Sequence, residues 1–112
     1  MGHLSQWQRE HQAWQDRNFG SNTSAILSFT GMVEEMGEIA HALLKHQQGI
    51  RGLSEAVTVK DRIVDGHCDL IIFSFGLANA LGYSLEPELK ATWHKVKQRD
   101  WVKDPEKGGQ SA

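Results

Sequence analysis

Residues 33–45, VEEMGEIAHALLK, constrain this chain more than any other stretch. Val33, Met36, Ala40, Leu43 and Leu44 recur every three or four residues, the spacing of a helix with an apolar face turned to a core. Glu34, Glu35 and Glu38 lie inside the same helix. At separations of three and four residues they are neighbours on one side, with Cβ atoms about 5–6 Å apart. Carboxylates so placed repel one another, and burial makes ionising them costlier still. Such a helix calls for a cation, and an all-oxygen ligand set favours a hard ion such as Mg²⁺. A solvated acidic face has the same spacing, so the distinction depends on whether further acids join the group.

The remainder reads as three more helices. Residues 4–18 place Leu4, Trp7, His11, Trp14 and Asn18 in one stripe, and Gly20 ends that helix. The glutamate helix is predicted over 23–47, capped by Asn22 or Thr23, with Gly31 and Gly37 each weakening it by about 1 kcal/mol relative to Ala. A glycine-containing loop follows. Thr58 and Asp61 then resemble a capping box that opens a third helix. Val59, Ile63, Val64, His67, Leu70, Ile71, Ser74, Leu77, Ala78 and Leu81 form its expected core face, and Gly82 its end. Ser84 caps a fourth helix with an apolar stripe of Leu85, Leu89, Trp93 and Val96 and a basic complement of Lys90, Lys95, Lys97 and Arg99. The expectation is an all-α, four-helix bundle-like domain over 1–102, with a flexible tail over 103–112. The second and third helices are apolar on more than one face, so homo-oligomerisation is expected to complete the bundle.

Asp61, Asp65 and Asp69 recur at four-residue steps on the third helix, and Asp69 directly precedes the apolar run LIIFSF. An antiparallel pairing of the second and third helices would bring Glu35, Glu38 and Asp69 together, with Glu34 and Asp65 nearby. That many carboxylates, with basic residues on the fourth helix, suit a polyphosphate bridged by Mg²⁺.

VEEMGEIAHALLK followed by DGHCDLIIF resembles the EExxE…ExxD signature of the MazG-like nucleotide pyrophosphohydrolases, especially the short single-domain type of phages and mobile elements. WQDRNFG and TWHKVKQRDW extend the likeness over most of the chain. The resemblance implies a Mg²⁺-dependent enzyme, with Mn²⁺ as a substitute, that cleaves nucleoside triphosphates, chiefly deoxynucleotides, to monophosphate and pyrophosphate. It implies a homodimer or dimer of dimers whose interface helps form the nucleotide pocket. Carried over by position, Glu34, Glu35, Glu38 and Asp69 are the catalytic acids, and Glu35, Glu38, Asp65 and Asp69 the metal ligands. Lys95 and Arg99 would meet the phosphates, and Trp14 and Phe19 the base. One position departs from the signature: Gly66 stands where the glutamate of ExxD would be, and Asp65 is the nearest acid.

The formal charge of −2 argues against general nucleic-acid binding, which requires a basic surface. Cys68 is the sole cysteine and reads as interior, consistent with a reducing cytoplasm. The first residues lack the apolar core of a signal peptide, and 70–75 is too short a run to span a bilayer. Two rival readings remain. Glu38 and His41 form one ExxH unit, but a di-iron carboxylate bundle needs a second. A non-catalytic nucleotide- or metal-binding dimerisation module is the other, favoured by Gly66.

Overall fold

A computed structural model describes residues 2–21 and 24–109. The fold is all-helical: α1 (His3–Phe19), α2 (Ala25–Gln48), α3 (Ala56–Leu81) and α4 (Leu85–Val96). α2 and α3 pack along one another as a hairpin, α1 lies on α3, and α4 rests on α1.

Helix ends follow local chemistry, though not always at the residues expected. Ser24 caps α2, its side chain accepting the Leu27 N–H at 3.2 Å; Asn22 and Thr23 lie outside the described residues. The Thr58 capping box does not form, because α3 begins earlier, with Glu55 at its N-cap and Thr58 already helical. At its other end Gly82 adopts φ 77°, and the Tyr83 N–H returns to the Ala78 carbonyl at 3.0 Å. The loop between α2 and α3 is anchored by Leu53, which is fully buried and offers its carbonyl 2.7 Å from His46 Nδ1.

The hairpin is antiparallel and unusually close. A Cβ at Gly31 would collide with the Phe73 ring, one at Gly76 would lie 2.6 Å from Ser28 Oγ, and one at Gly66 would lie 2.8 Å from Ile39 Cγ1. As the α2 number rises, its α3 partner's number falls. This register sets Glu35 level with Asp69, and Glu38 level with Gly66.

The close approach determines which faces are inside, and here the structure corrects the periodicity. The buried residues of α2 are Gly31, Glu35 and Ala42, whereas Val33, Met36, Leu43 and Leu44 are about half exposed. On α3 the buried line is Val59, Gly66, Phe75, Gly76 and Ala78; Val64, His67, Ile71 and Leu81 are exposed. Glycine and alanine let the backbones meet, with Phe73 and Ile39 against them, and Val33, Met36, Leu43 and Leu44 are left largely exposed. α3 has 26 residues and is long and apolar enough to cross a membrane by length and composition, yet it packs against α2 and carries Asp61, Asp65 and Asp69.

α4 is held by polar contacts at the bundle's end. Gln8, itself buried, donates to Asn79 Oδ1 at 2.9 Å and to the Tyr83 carbonyl at 2.8 Å, and accepts the Leu85 N–H at 2.9 Å. Glu86 accepts from the Gly2 and Ser5 N–H groups at the start of α1, at 3.3 and 3.4 Å. Partial desolvation opposes its ionisation, but the Ser5 and Gly2 hydrogen bonds and the charge of Lys90 outweigh it and hold this carboxyl below its ordinary range. A depressed acid stabilises the fold above its unfolded pKa, and that contribution disappears as pH falls through the folded value. Wild type is therefore expected to exceed Glu86→Gln in denaturant midpoint at pH 7, with the gap narrowing as the pH is taken down through the depressed folded-state value. An unchanged gap across that range would show that Glu86 acts by packing alone.

Beyond α4 the chain turns back on itself. Asp100 and Asp104 side chains accept backbone N–H groups of Val102, Lys103, Glu106 and Lys107, and the Asp100 N–H meets the Gly108 carbonyl at 2.7 Å.

Candidate functional site

α2 buries one of its three glutamates, Glu35, against α3. Glu35 is only 7% exposed. Its Oε2 is buried without a hydrogen-bond partner. Glu34 and Glu38, both exposed, flank it, and one carboxylate oxygen from each of the three falls in a group within 4.8 Å. Burial raises the Glu35 pKa first, and a hydrogen bond with Glu38 and the charges of Glu38, Asp69 and Glu34 raise it further. Asp69 is thus across the helix pair and electrostatically joined to the triad, although it is not one of the three residues within 4.8 Å. No cation is among the groups acting on Glu35.

An unpartnered carboxylate oxygen in the interior is a costly feature for a chain to keep. Three oxygens this close provide hard donors, and the residues fit a Mg²⁺-type ion: an oxygen-only shell, one member fixed by burial and two able to adjust. No histidine or cysteine joins the group among the described residues, which does not suit a zinc or ExxH-type iron site. His41 and His67 are exposed.

Asp69 also opens onto a cavity of about 1070 Å³ between α1, the start of α2 and α3. Its walls include Trp7, His11, Trp14, Phe19, Leu27 and Phe75, so it is mainly aromatic and aliphatic. Trp14 and Phe19 meet edge to face with centroids 5.7 Å apart, and His11 lies 5.6 Å from Trp14. A cavity of this size and character accommodates a flat heteroaromatic group with its attached sugar. Trp14 and Phe19, expected to meet a base, and Asp69, expected to bind metal, therefore border one space.

Other expected residues fall elsewhere. Lys95 is near the end of α4 and Arg99 beyond it. α4 is tied to α1 through Gln8 and Glu86, and neither basic residue lines the cavity or acts on Glu35. Asp65 is exposed and outside the acidic group of three. Cys68, expected inside, is exposed at the cavity wall.

The sequence marks His11 only as one position in an apolar stripe. In the fold its Nδ1 is buried and unpartnered, and burial lowers its pKa, which favours a neutral imidazole at the cavity wall. A histidine between two tryptophans at helical spacing is the available signal; its orphaned nitrogen depends on how α1 lies against α3.

No family model, curated protein or solved structure matches this chain.

Proposed function

We propose that this protein is a Mg²⁺-dependent nucleoside triphosphate pyrophosphohydrolase of the MazG-like kind, acting on deoxynucleotides in the cytoplasmic pool. The observation that carries the reading is Glu35: a buried carboxylate with an unsatisfied oxygen, clustered with Glu34 and Glu38 and facing Asp69 at the mouth of an aromatic cavity.

Glu34, Glu35 and Glu38 would hold the divalent ion, which when bound offsets phosphate charge and acidifies water. The cavity holds the base against Trp14 and Phe19 and excludes water from that end of the substrate. The triphosphate then extends past Asp69 toward the glutamates. Hydrolysis adds water across the α–β anhydride: oxygen bonds to the α-phosphorus, the bridging bond breaks, and pyrophosphate leaves. Glu34, exposed beside Glu35, would hold the attacking water and take its proton.

The active form is a homodimer or a dimer of dimers. The single chain exposes 8441 Å², against about 6,200 Å² for a folded monomer of its mass. Its radius of gyration is 17.8 Å, against about 13 Å for a compact chain of this length. The excess surface is of the order that an obligate dimer buries, and it includes Val33, Met36, Leu43 and Leu44.

The test is pyrophosphate release from each deoxynucleoside triphosphate with Mg²⁺ and with Mn²⁺, alongside solution mass from light scattering. Release of pyrophosphate by an oligomer is expected. Nucleotide binding without release would instead identify a non-catalytic module, the reading that the missing acid at Gly66 favours.

A further inference from the structure

We propose that Gln8 and Asn79 are positioning residues for the nucleotide: their amide pair fixes the register of α1 on α3, and so sets the wall that receives the base. This rests on the nucleotide reading above and adds the groups, away from the acids, that shape its base pocket.

α1 supplies Trp7, His11 and Trp14 to the cavity, so the shape of the pocket depends on where α1 lies along α3. Apolar packing does not settle that position. Trp7 is 53% exposed and Trp14 44%, and the one buried residue of α1 is Gln8, a polar one. Opposite His11 stands Gly76, where an added Cβ would come 3.3 Å from the imidazole Cε1. Glycine lets the helices approach at that level but offers no side chain to interlock with, so the contact there permits sliding.

One turn away, hydrogen bonds supply the lock. Gln8 Nε2 donates to Asn79 Oδ1 at 2.9 Å and to the Tyr83 carbonyl at 2.8 Å. The Asn79 amide donates in return to the Gln8 carbonyl at 3.3 Å. Gln8 meets Asn79 and His11 meets Gly76, three residues on in α1 and three back in α3, which is one antiparallel register. Both amide hydrogens of Gln8 are used, and its oxygen accepts the Leu85 N–H. A slide of one turn, about 5.4 Å, would leave these groups unpaired and carry Trp7 and Trp14 by the same distance. A single buried Asn fixes the register of a coiled coil by the same physics.

Neither Gln8 nor Asn79 lines the cavity, and Asn79 is ten residues, about 15 Å, along α3 from Asp69. They act on the base through the placement of α1 and leave the phosphate end untouched.

Asn79→Leu in the full chain tests this, because it breaks the α1–α3 amide pair and keeps the Gln8 bonds to Tyr83 and Leu85. With Mg²⁺, the dissociation constant of an α,β-methylene deoxynucleoside triphosphate should rise at least about tenfold, and KM for the natural triphosphate with it, at a kcat within about threefold of wild type. Inorganic triphosphate, which has no base, should inhibit both proteins equally. The near-UV circular dichroism of the tryptophans should change while the far-UV spectrum stays helical. Asn79→Asp, which keeps an acceptor for Gln8, should restore affinity. Glu86→Gln, which loosens only the tie between α1 and α4, should leave affinity unchanged. Unaltered nucleotide affinity in a helical Asn79→Leu protein, or an equal loss in Glu86→Gln, would overturn the proposal. A wild type that binds no nucleotide would refute the nucleotide reading, and the near-UV spectrum of Asn79→Leu then decides the register lock alone: altered, it upholds the lock; unaltered, it refutes it.

Discussion

Glu35→Gln is expected to make the metal-free protein more stable while it removes function. In wild type, burial and three neighbouring acids hold the Glu35 pKa above its ordinary range. The native state therefore keeps a proton that the unfolded chain loses, and metal-free stability falls as pH rises from about 4.5 through the raised value. Gln is nearly isosteric, carries no charge and can donate a hydrogen bond to Glu38. At pH 7 without metal the variant should melt about 5 °C higher than wild type. Mg²⁺ should raise the melting temperature of wild type and leave the variant nearly unmoved, because a ligand stabilises only the state that binds it. Pyrophosphate release should fall at least about a hundredfold. Opposite signs in stability and activity distinguish a functional carboxylate from a structural one, which would lose both. Thermal melts with and without Mg²⁺, beside the activity assay, check both signs. A variant less stable than wild type without metal would refute a functional role for the buried Glu35 carboxylate.

Gly66→Glu, which supplies the missing acid of the ExxD signature, is expected to damage the protein. Position 66 is level with Glu38 in the hairpin, so a linear comparison suggests that a carboxylate there would complete the metal shell. The packing excludes it. The first side-chain atom would meet Ile39 at 2.8 Å, and the charge behind it would be forced between two helices. Overpacking costs about 1–3 kcal/mol, and a buried, unpaired charge adds to it. The melting temperature should drop by more than about 10 °C, with no gain in hydrolysis or in Mn²⁺ stoichiometry. Gly66→Ala separates the two causes: it introduces the Cβ without the charge, and Ile39 can shift to admit it. Loss confined to the Glu variant assigns the effect to charge burial; equal loss assigns it to helix spacing. A stable Gly66→Glu protein with enhanced turnover would show that the hairpin opens at this level.

Much of the architecture is legible in the residue order alone. Four helices follow from hydrophobic repeats about 3.6 residues long, from Gly20 and Gly82 at helix ends, and from Ser84 at the start of α4. The glutamate triad is equally plain, because residues three and four apart on a helix must be neighbours whatever they face. These are local properties, set by backbone geometry within one element, and a sequence contains all of that information.

Which face went inward was not local. Val33, Met36, Leu43 and Leu44 have the periodicity of a core face yet point away from the hairpin, while Glu35 points into it. Gly31, Gly66 and Gly76 bring the helices together, and glycine carries no weight in a hydrophobic pattern. The same register joins Asp69 to the glutamates and sets position 66 hard against Ile39. Lys95 and Arg99 follow the same rule at larger scale: their charge is written in the sequence, but the docking of α4 on α1 through Gln8 and Glu86 is a tertiary contact. Residue order therefore set the elements and the chemical types available to them, since both depend on neighbours close in the chain. Which of those types meet was left to the packing of the helices, because their contact depends on a backbone separation and register that no single helix specifies.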